Sequence, residues 1–380
     1  MGPEEPAHRA SPRETDSSIA QAIDPELRRR LRAATDREGF LPFDRFMEIA
    51  LYAPGWGFYD RGTTRLGRAG DFYTGAHVHG LFGATLAAHF QEVRHQAGSL
   101  SRFSIVEVGP GDGTLAQDIR SALQRNPESG VHWEYVMVER SMAFRTTIEQ
   151  RLGASAPGQI PWRFAPSLAA EGPFRGILLA NELLDAFPFR RFERTADGWA
   201  ELGVGVPPEG PLHAEMRPAA RTDSPANLPT DAPTGAVLEV SPTMEAWVRE
   251  LADHFVGGRA VLIDYGEEEN LLLQKRGGTL EAIRDHRPVD PLSRPGTADL
   301  SAWVNFTRVR RAAQAAGFQE EYYGPLADAL LRWGINDVRT QWEATLDPVE
   351  KVKLQLAQKS FLFGFGTFKV LELSPPGVSG

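Results

Sequence analysis

The chain has 380 residues, 42% of them hydrophobic, which is long for one core and short for three, so one enlarged domain or two are expected. The formal charge is −9, from 41 basic and 50 acidic residues, and no long Lys/Arg run stands out, which argues against a nucleic-acid substrate. With no cysteine there is no disulfide framework, thiolate nucleophile or cysteine zinc site, and no apolar stretch suits secretion or a membrane span.

Residues 1–18, rich in Pro, Glu, Ser and Arg, cannot bury a face and are predicted to be a disordered tail. Their acids argue against a mitochondrial presequence, and Pro6 stands where a myristoylation signal needs Ser or Thr. A cytoplasmic protein is expected. Residues 19–100 read as a helical N-terminal cap: Leu27, Leu31, Phe43, Phe46, Met47 and Ala50 recur at three- and four-residue spacing, interrupted near Gly39 and Pro42. Pro54–Tyr59 and Leu66–Thr74 then crowd glycines beside aromatic and polar residues, including Asp71, Phe72 and Thr74. That composition suits a loop closing over something flat and partly polar, or an ordinary glycine-rich connector. His77 and His79 lack nearby acids at ligand spacing, so no metal site is expected. Leu81, Phe82, Leu86 and Phe90 predict an amphipathic helix.

From residue 101 strands and helices alternate, the pattern of an α/β fold. Ile105, Val106 and Val108 form a buried strand, and Gly109, Gly111 and Gly113 then let the backbone turn sharply and approach a ligand closely. Thr114 is a permitted N-cap for a helix carrying Leu115, Ile119 and Leu123. A dinucleotide fingerprint wants G-x-G-x-x-G, whereas this turn reads G-x-G-x-G, which favours a different nucleoside cofactor. S-adenosylmethionine fits: it lacks a pyrophosphate, its carboxylate can meet backbone N–H groups at a helix start, and its ribose diol wants an acid. Glu139, ending the next strand at Val131–Val138, stands where that acid belongs, and Glu107 is a second candidate.

Ser141–Leu152 reads as a helix, Trp162–Phe164 as a short strand and Gly176–Ala180 as a buried one that runs directly into Asn181, Glu182 and Asp185. Polar side chains just past the C-terminal end of a buried strand lie where open α/β sheets bind ligands, so these three are the catalytic candidates. First-turn acids of a capped helix would look similar. Because Asp185 falls a turn further on, Glu182→Gln is expected to lower turnover more than Asp185→Asn. From Phe189 to Leu238 the rhythm is lost, and Pro207–Pro233 predicts an exposed irregular insertion. It returns with strand Ala236–Val240, a helix over Pro242–Phe255 and strand Arg259–Asp264, closed by Tyr265-Gly266. Segments 278–286 and 299–307 bracket a Pro-rich connector, a helix over Val309–Ala316 ends at Gly317, a helical insertion spans 326–361, and Thr367–Leu373 is a late strand.

Several stretches together resemble the MidA-type methyltransferases, whose animal mitochondrial member methylates an arginine on a core subunit of respiratory complex I. They are Gly55–Tyr59, Gly70–Thr74 with Phe82-Gly83, Val106–Leu115, Ala180–Pro188, Glu239–Pro242, Leu262-Ile-Asp-Tyr-Gly266, Gly278–Leu280, Gly296–Leu300 and Val304–Phe306. The resemblance implies a Rossmann-like, seven-stranded class I methyltransferase fold over residues 101–373, with a helical N-terminal part, insertions at about 189–238 and 326–361, and a tail at 374–380. It implies S-adenosyl-L-methionine at Gly109, Gly111, Gly113 and Glu139, with Asp71, Phe72 and Thr74 folding over it. Protein arginine methylation is the implied activity, with a protein substrate, a respiratory complex subunit among the candidates, and neither nucleic acid nor membrane as partner. The chain departs from the family's pattern at His77 and His79, where Pro and Ser are usual, and at Pro325–Leu331, in place of a Thr-Gln pair before Phe-Leu. A methyltransferase for a small molecule or another side chain, or an assembly factor for a respiratory complex that holds the cofactor structurally, are the other readings.

Overall fold

The structure is a computed structural model that describes residues 23–60, 78–98, 102–219 and 227–377. The tail at 1–18, the loop residues Asp71, Phe72 and Thr74, and His77 lie outside the described residues.

Among the described residues the central sheet has eight strands, seven of them on one continuous path: β1 (Arg102–Val108), β2 (His132–Val138), β3 (Trp162–Ala165), β4 (Phe174–Asn181), β5 (Phe255–Glu267), β6 (Gln319–Pro325) and β7 (Phe368–Ser374). Across the sheet they run 3-2-1-4-5-7-6, with β1 to β5 parallel and β7 antiparallel to both its neighbours. This is the expected Rossmann-like, seven-stranded arrangement. The eighth strand, Val304–Asn305, lies beside the end of β5.

Side-chain alternation explains why the middle strands read as continuous apolar runs. Ile105, Ile177, Leu179, Val261 and Ile263 enter one core, and Val106, Leu178, Ala180, Ala260 and Leu262 enter the other. Both faces are therefore covered, as a parallel sheet with crossover helices requires. Ten helices matter here: α1 (Pro25–Ala33), α2 (Phe43–Tyr52), α3 (Leu81–Gln96), α4 (Thr114–Arg125), α5 (Met142–Leu152), α6 (Pro242–His254), α7 (Phe306–Ala315), α8 (Leu326–Arg332), α9 (Ile335–Glu343) and α10 (Pro348–Phe363). Helices α3, α4 and α8 to α10 contribute to the first core, and α6 and α7 to the second.

Helix α3 does not have the single apolar face that its spacing predicts. Leu81, Phe82, Ala84, Thr85, Leu86, Ala87, His89, Phe90 and Val93 are all buried, so it is covered on most sides. The C-terminal insertion supplies the cover: Phe361 stacks on Phe82 at 5.6 Å, and Trp333 on His89 at 4.7 Å.

The piece after β4 is also more ordered than its composition suggests. Arg190–Thr195, Gly198–Gly205, His213–Pro218 and Val237–Val240 form a second, antiparallel sheet together with Phe40–Pro42. Its first hairpin turns at Ala196-Asp197, with Thr195 paired to Gly198; the turn pair lacks the glycine of the strong hairpin turns, so the local signal is weak. Val237–Val240, which reads as a member of the main rhythm, pairs instead with Arg190–Glu193. Leu27, Leu31, Phe43, Phe46, Met47 and Leu51 of α1 and α2 bury against Phe189, Val204, Leu212 and Leu300 in a separate core. This lobe stands over the C-terminal ends of β1, β2 and β4, and so makes the upper wall of the site.

Candidate active site

The glycine turn follows β1 directly. Gly109 and Gly111 have φ of 70° and 57°, the left-handed region in which a side chain is strained. A Cβ on Gly109 would lie 2.8 Å from Leu183 Cδ1, so this turn is packed against the one that follows β4. Helix α4 starts at Thr114, but the capping group differs from the expected one. The Asp112 carboxylate accepts from Thr114 N (3.0 Å) and Thr114 Oγ1 (2.7 Å) and pairs with Arg151 Nη2 at 2.6 Å.

Two acids border this turn. Glu139 ends β2 and is buried; its Oε1 accepts from Ser141 N at 2.6 Å. Burial pushes its carboxyl up, opposed by the backbone N–H groups of Ser141 and Arg140. Glu107 in β1 accepts from the Tyr135 hydroxyl at 2.8 Å, and burial pushes it up to about 7 against that bond. In the unfolded chain it titrates near its ordinary 4.5, so the protonated form contributes stability that is lost as pH rises through about 7. Glu107→Gln is therefore expected to exceed the cofactor-free wild type in stability by about 1–3 kcal/mol at pH 8 and to match it far more closely at pH 5. Urea titrations at the two pH values check this, and a difference that is the same at both would contradict it.

At the end of β4 the chain does not enter an α-helix. Glu182 has φ of 51°, an uncommon conformation for a residue with a side chain, and its N–H is held by Ile263 O at 2.8 Å. A single 3-10 turn, Leu184–Ala186, follows. The N–H groups of Leu183, Leu184 and Asp185 all donate to Asp264 Oδ2, at 3.1, 2.8 and 3.3 Å. The capping carboxylate thus belongs to fully buried Asp264 of β5, and burial holds its pKa well above the ordinary range. Asn181 Nδ2 lies 3.4 Å from Glu182 Oε1.

Asp185 faces a different set of partners. Its Oδ2 accepts from the Tyr265 hydroxyl at 2.7 Å, while its Oδ1 is buried without a hydrogen-bond partner. Burial drives this carboxyl above its ordinary range, and the Tyr265 bond works in the opposite direction. From the upper lobe, Tyr52 donates to Ala186 O at 2.8 Å and Tyr59 donates to Asp299 Oδ1 at 2.6 Å. The two rings stack at 5.5 Å, and the Arg140 guanidinium lies over Tyr52 at 3.5 Å.

These elements enclose one cavity of about 560 Å³, a size that suits a drug-sized ligand. Glu107, Gly109, Gly111 and Glu139 line it together with Asn181, Glu182 and Asp185, so the two groups of sequence candidates meet in one space. Gly113 is not among the lining residues, and a Cβ there would meet Ile148 Cγ1 at 3.1 Å. Tyr52, Tyr59, Arg140 and Asp299 also line the cavity, and sequence reading gave none of them a role. Tyr59 and Asp299 do fall within quoted stretches, but nothing local says that residues 240 positions apart share a hydrogen bond. His79 is a capping residue: its Nδ1 accepts from Leu81 N at 3.0 Å.

Among the described lining side chains, Glu48, Glu107, Asp112, Glu139, Glu182, Asp185, Glu250 and Asp299 outnumber the single cation, Arg140. Such a lining favours positively charged ligands. The glycine turn provides the close backbone approach, and the buried acid Glu139 beside it suits a ribose diol, so the residues fit a nucleoside bearing an amino-acid tail.

Comparison with known proteins agrees with this chemistry. Residues 85–324 match a sequence family described as "Putative S-adenosyl-L-methionine-dependent methyltransferase". A Drosophila melanogaster protein named protein arginine methyltransferase NDUFAF7 homolog, mitochondrial, is 30% identical over 79% of this chain and 73% of its own length. The Homo sapiens protein arginine methyltransferase NDUFAF7, mitochondrial, is 30% identical over 71% of this chain, which spans 64% of the human protein's length. A Burkholderia thailandensis protein solved with bound S-adenosyl-homocysteine superposes with a TM-score of 0.83 at 33% identity, over 93% of each chain. The cytoplasmic placement expected from composition does not stand, because these animal relatives are named mitochondrial. Compartment is set by an address that composition does not encode. No helix among the described residues is long and apolar enough to cross a membrane.

Proposed function

We propose that this chain, which belongs to the S-adenosyl-L-methionine-dependent methyltransferase family, transfers methyl to an arginine side chain of a protein. The observation that carries the acceptor class is Asp185: a carboxylate whose Oδ1 is buried without a partner, in a cavity where acids predominate. A buried unpaired anion is costly, and an incoming guanidinium would relieve it. Guanidinium is planar and offers N–H donors in a fixed fork, which suits a site with two carboxylates on one turn and aromatic rings opposite. The names of the animal relatives support the same acceptor.

Gly109, Gly111, Glu107 and Glu139 are the residues that would hold S-adenosyl-L-methionine, and Asp71, Phe72 and Thr74 remain proposed covering residues. When bound, the cofactor supplies an electrophilic methyl group on a sulfonium. The chain's own contribution is to position the acceptor nitrogen and exclude water. Glu182 and Asp185 would bind two edges of the fork and favour charge on the nitrogens that are not attacked. Methylating a guanidinium nitrogen releases one N–H proton, and Asp185 Oδ1 would take it. Asn181, within reach of Glu182 Oε1, would fix that carboxylate's orientation.

Labelled S-adenosyl-L-methionine and the host's soluble lysate provide the test. Label is expected in protein, as methylarginine after acid hydrolysis, with a respiratory complex subunit among the labelled bands. Label confined to small molecules, or to another side chain, would refute the acceptor assignment.

A further inference from the structure

The stretch Asp264-Tyr265-Gly266 lies at the C-terminal end of β5. Asp264 organises the turn after β4, since its Oδ2 collects three consecutive N–H groups. Tyr265 does something separate. Its hydroxyl is 2.7 Å from Asp185 Oδ2 and 2.7 Å from Ser301 Oγ. A phenol has one proton, so donation to the carboxylate leaves Ser301 to donate to the phenol oxygen. The ring is held against Phe368 at 5.7 Å, which leaves the hydroxyl little freedom. One carboxylate oxygen is thereby fixed, and the other is the buried, unpartnered Oδ1 of a cavity-lining side chain.

We propose that Tyr265 is a positioning residue for the methyl acceptor: by holding Asp185 Oδ2, it presents Asp185 Oδ1 to the N–H edge of the incoming guanidinium. The proposal rests on the arginine reading of the acceptor. It accounts for a buried carboxylate whose Oδ2 is held by Tyr265 while its covered Oδ1 has no hydrogen-bond partner, with the backbone N–H groups of Asp185 and Ala186 nearby also favouring its charged form. The groups facing Asp185 make Tyr265 more than a packing residue. They are Asp264 and Tyr265 from β5, Glu182 from its own turn, Tyr52 and Tyr59 from the upper lobe, and Glu281 from the strand Glu281–Arg284. No Lys or Arg is ion-paired with Asp185 among the described residues, so among these groups Tyr265 is the side chain that donates to the ionised form. A guanidinium entering the cavity would meet a carboxylate already charged and already oriented, which lowers the reorganisation needed at the moment of reaction.

Two measurements on the full chain test this. Carboxyl ¹³C NMR of Asp-labelled protein follows the titration of Asp185, its resonance assigned by its loss in Asp185→Asn. Removing the donor disfavours the charged carboxylate, so Tyr265→Phe is expected to raise the midpoint by about one pH unit. Ser301→Ala, which removes only the supporting hydroxyl, should give a smaller shift in the same direction. The second measurement titrates Nα-acetyl-L-arginine amide in the presence of S-adenosyl-homocysteine, where Tyr265→Phe should weaken binding about tenfold at pH 7, with recovery at higher pH. A purely structural tyrosine would lower the melting temperature and leave both readouts where they were. An unmoved Asp185 midpoint in Tyr265→Phe and in Ser301→Ala, with wild-type arginine-amide binding intact, overturns the proposal alone. If the wild type does not bind the arginine amide, the arginine reading falls, and the acceptor half of the proposal falls with it.

Discussion

Asp185→Asn is expected to lower methyl transfer to the protein acceptor by about 10²–10³-fold, with cofactor affinity unchanged and thermal stability the same or higher. The asparagine oxygen can still accept from Tyr265, so the turn after β4 keeps its shape. What disappears is the negative charge that would hold a guanidinium and take its proton. Stability should not fall, because the wild-type carboxylate is buried among other acids with Oδ1 unpartnered, and neutralising such a group removes a cost. Glu182→Gln should act in the same direction but less strongly. Sequence alone ranks the two the other way round, on the premise that Asp185 lies a turn into a helix. That premise is wrong: a 3-10 turn of three residues follows β4, and it carries Asp185 into the cavity. The same finding bears on helix capping, since the N–H groups of residues 183–185 are taken by Asp264. Initial rates with labelled cofactor, beside calorimetric affinity for S-adenosyl-homocysteine, decide the matter. Wild-type turnover in both mutants would mean that these acids do not serve the reaction.

The parts of this molecule that were legible in the sequence are those whose signal is local. The apolar run Ile105–Val108, the glycines that follow it and the acid at the end of β2 lie within 35 residues of one another and can be read in order. The strand entering Asn181-Glu182 is legible for the same reason, because a continuous β-branched and leucine-rich run can be buried on both faces only in a parallel sheet. What was missed depends on distant pairings. Asp264 caps a turn about 80 positions upstream, and Tyr265 meets Asp185 across the same gap. An acid followed by a tyrosine at a strand end carries no local mark of either bond. Helix α3 failed for a related reason: its spacing gives one apolar face, but α8 to α10, more than 200 residues later, cover another. The second sheet was missed because its short strands are followed by a proline-rich stretch after residue 206 and its hairpin turns at Ala196-Asp197, without the glycine that marks a strong hairpin pair.

Gly111→Val should abolish measurable binding of S-adenosyl-homocysteine while leaving the protein folded. Two effects act together at this position. With φ at 57°, the residue sits where a side chain costs roughly 1–2 kcal/mol, and branching at Cβ raises that further. Gly111 also lines the cavity, so the new methyl groups would occupy the space through which the backbone approaches the ligand. The strain should appear as a modest fall in melting temperature, and the obstruction as a loss of affinity of at least 10²-fold, about 2.7 kcal/mol. Gly113→Ala separates the two effects. It too has a positive φ, of 79°, but its Cβ would press on Ile148 and not on the cavity, so it should lower stability and largely spare binding. Wild-type protein should bind S-adenosyl-homocysteine and not NAD, because the short G-x-G-x-G turn lacks the third glycine spacing that a pyrophosphate needs. Equal calorimetric affinities for the Gly111→Val mutant and the wild type, or a preference of the wild type for NAD, would mean that the cofactor does not lie against this turn.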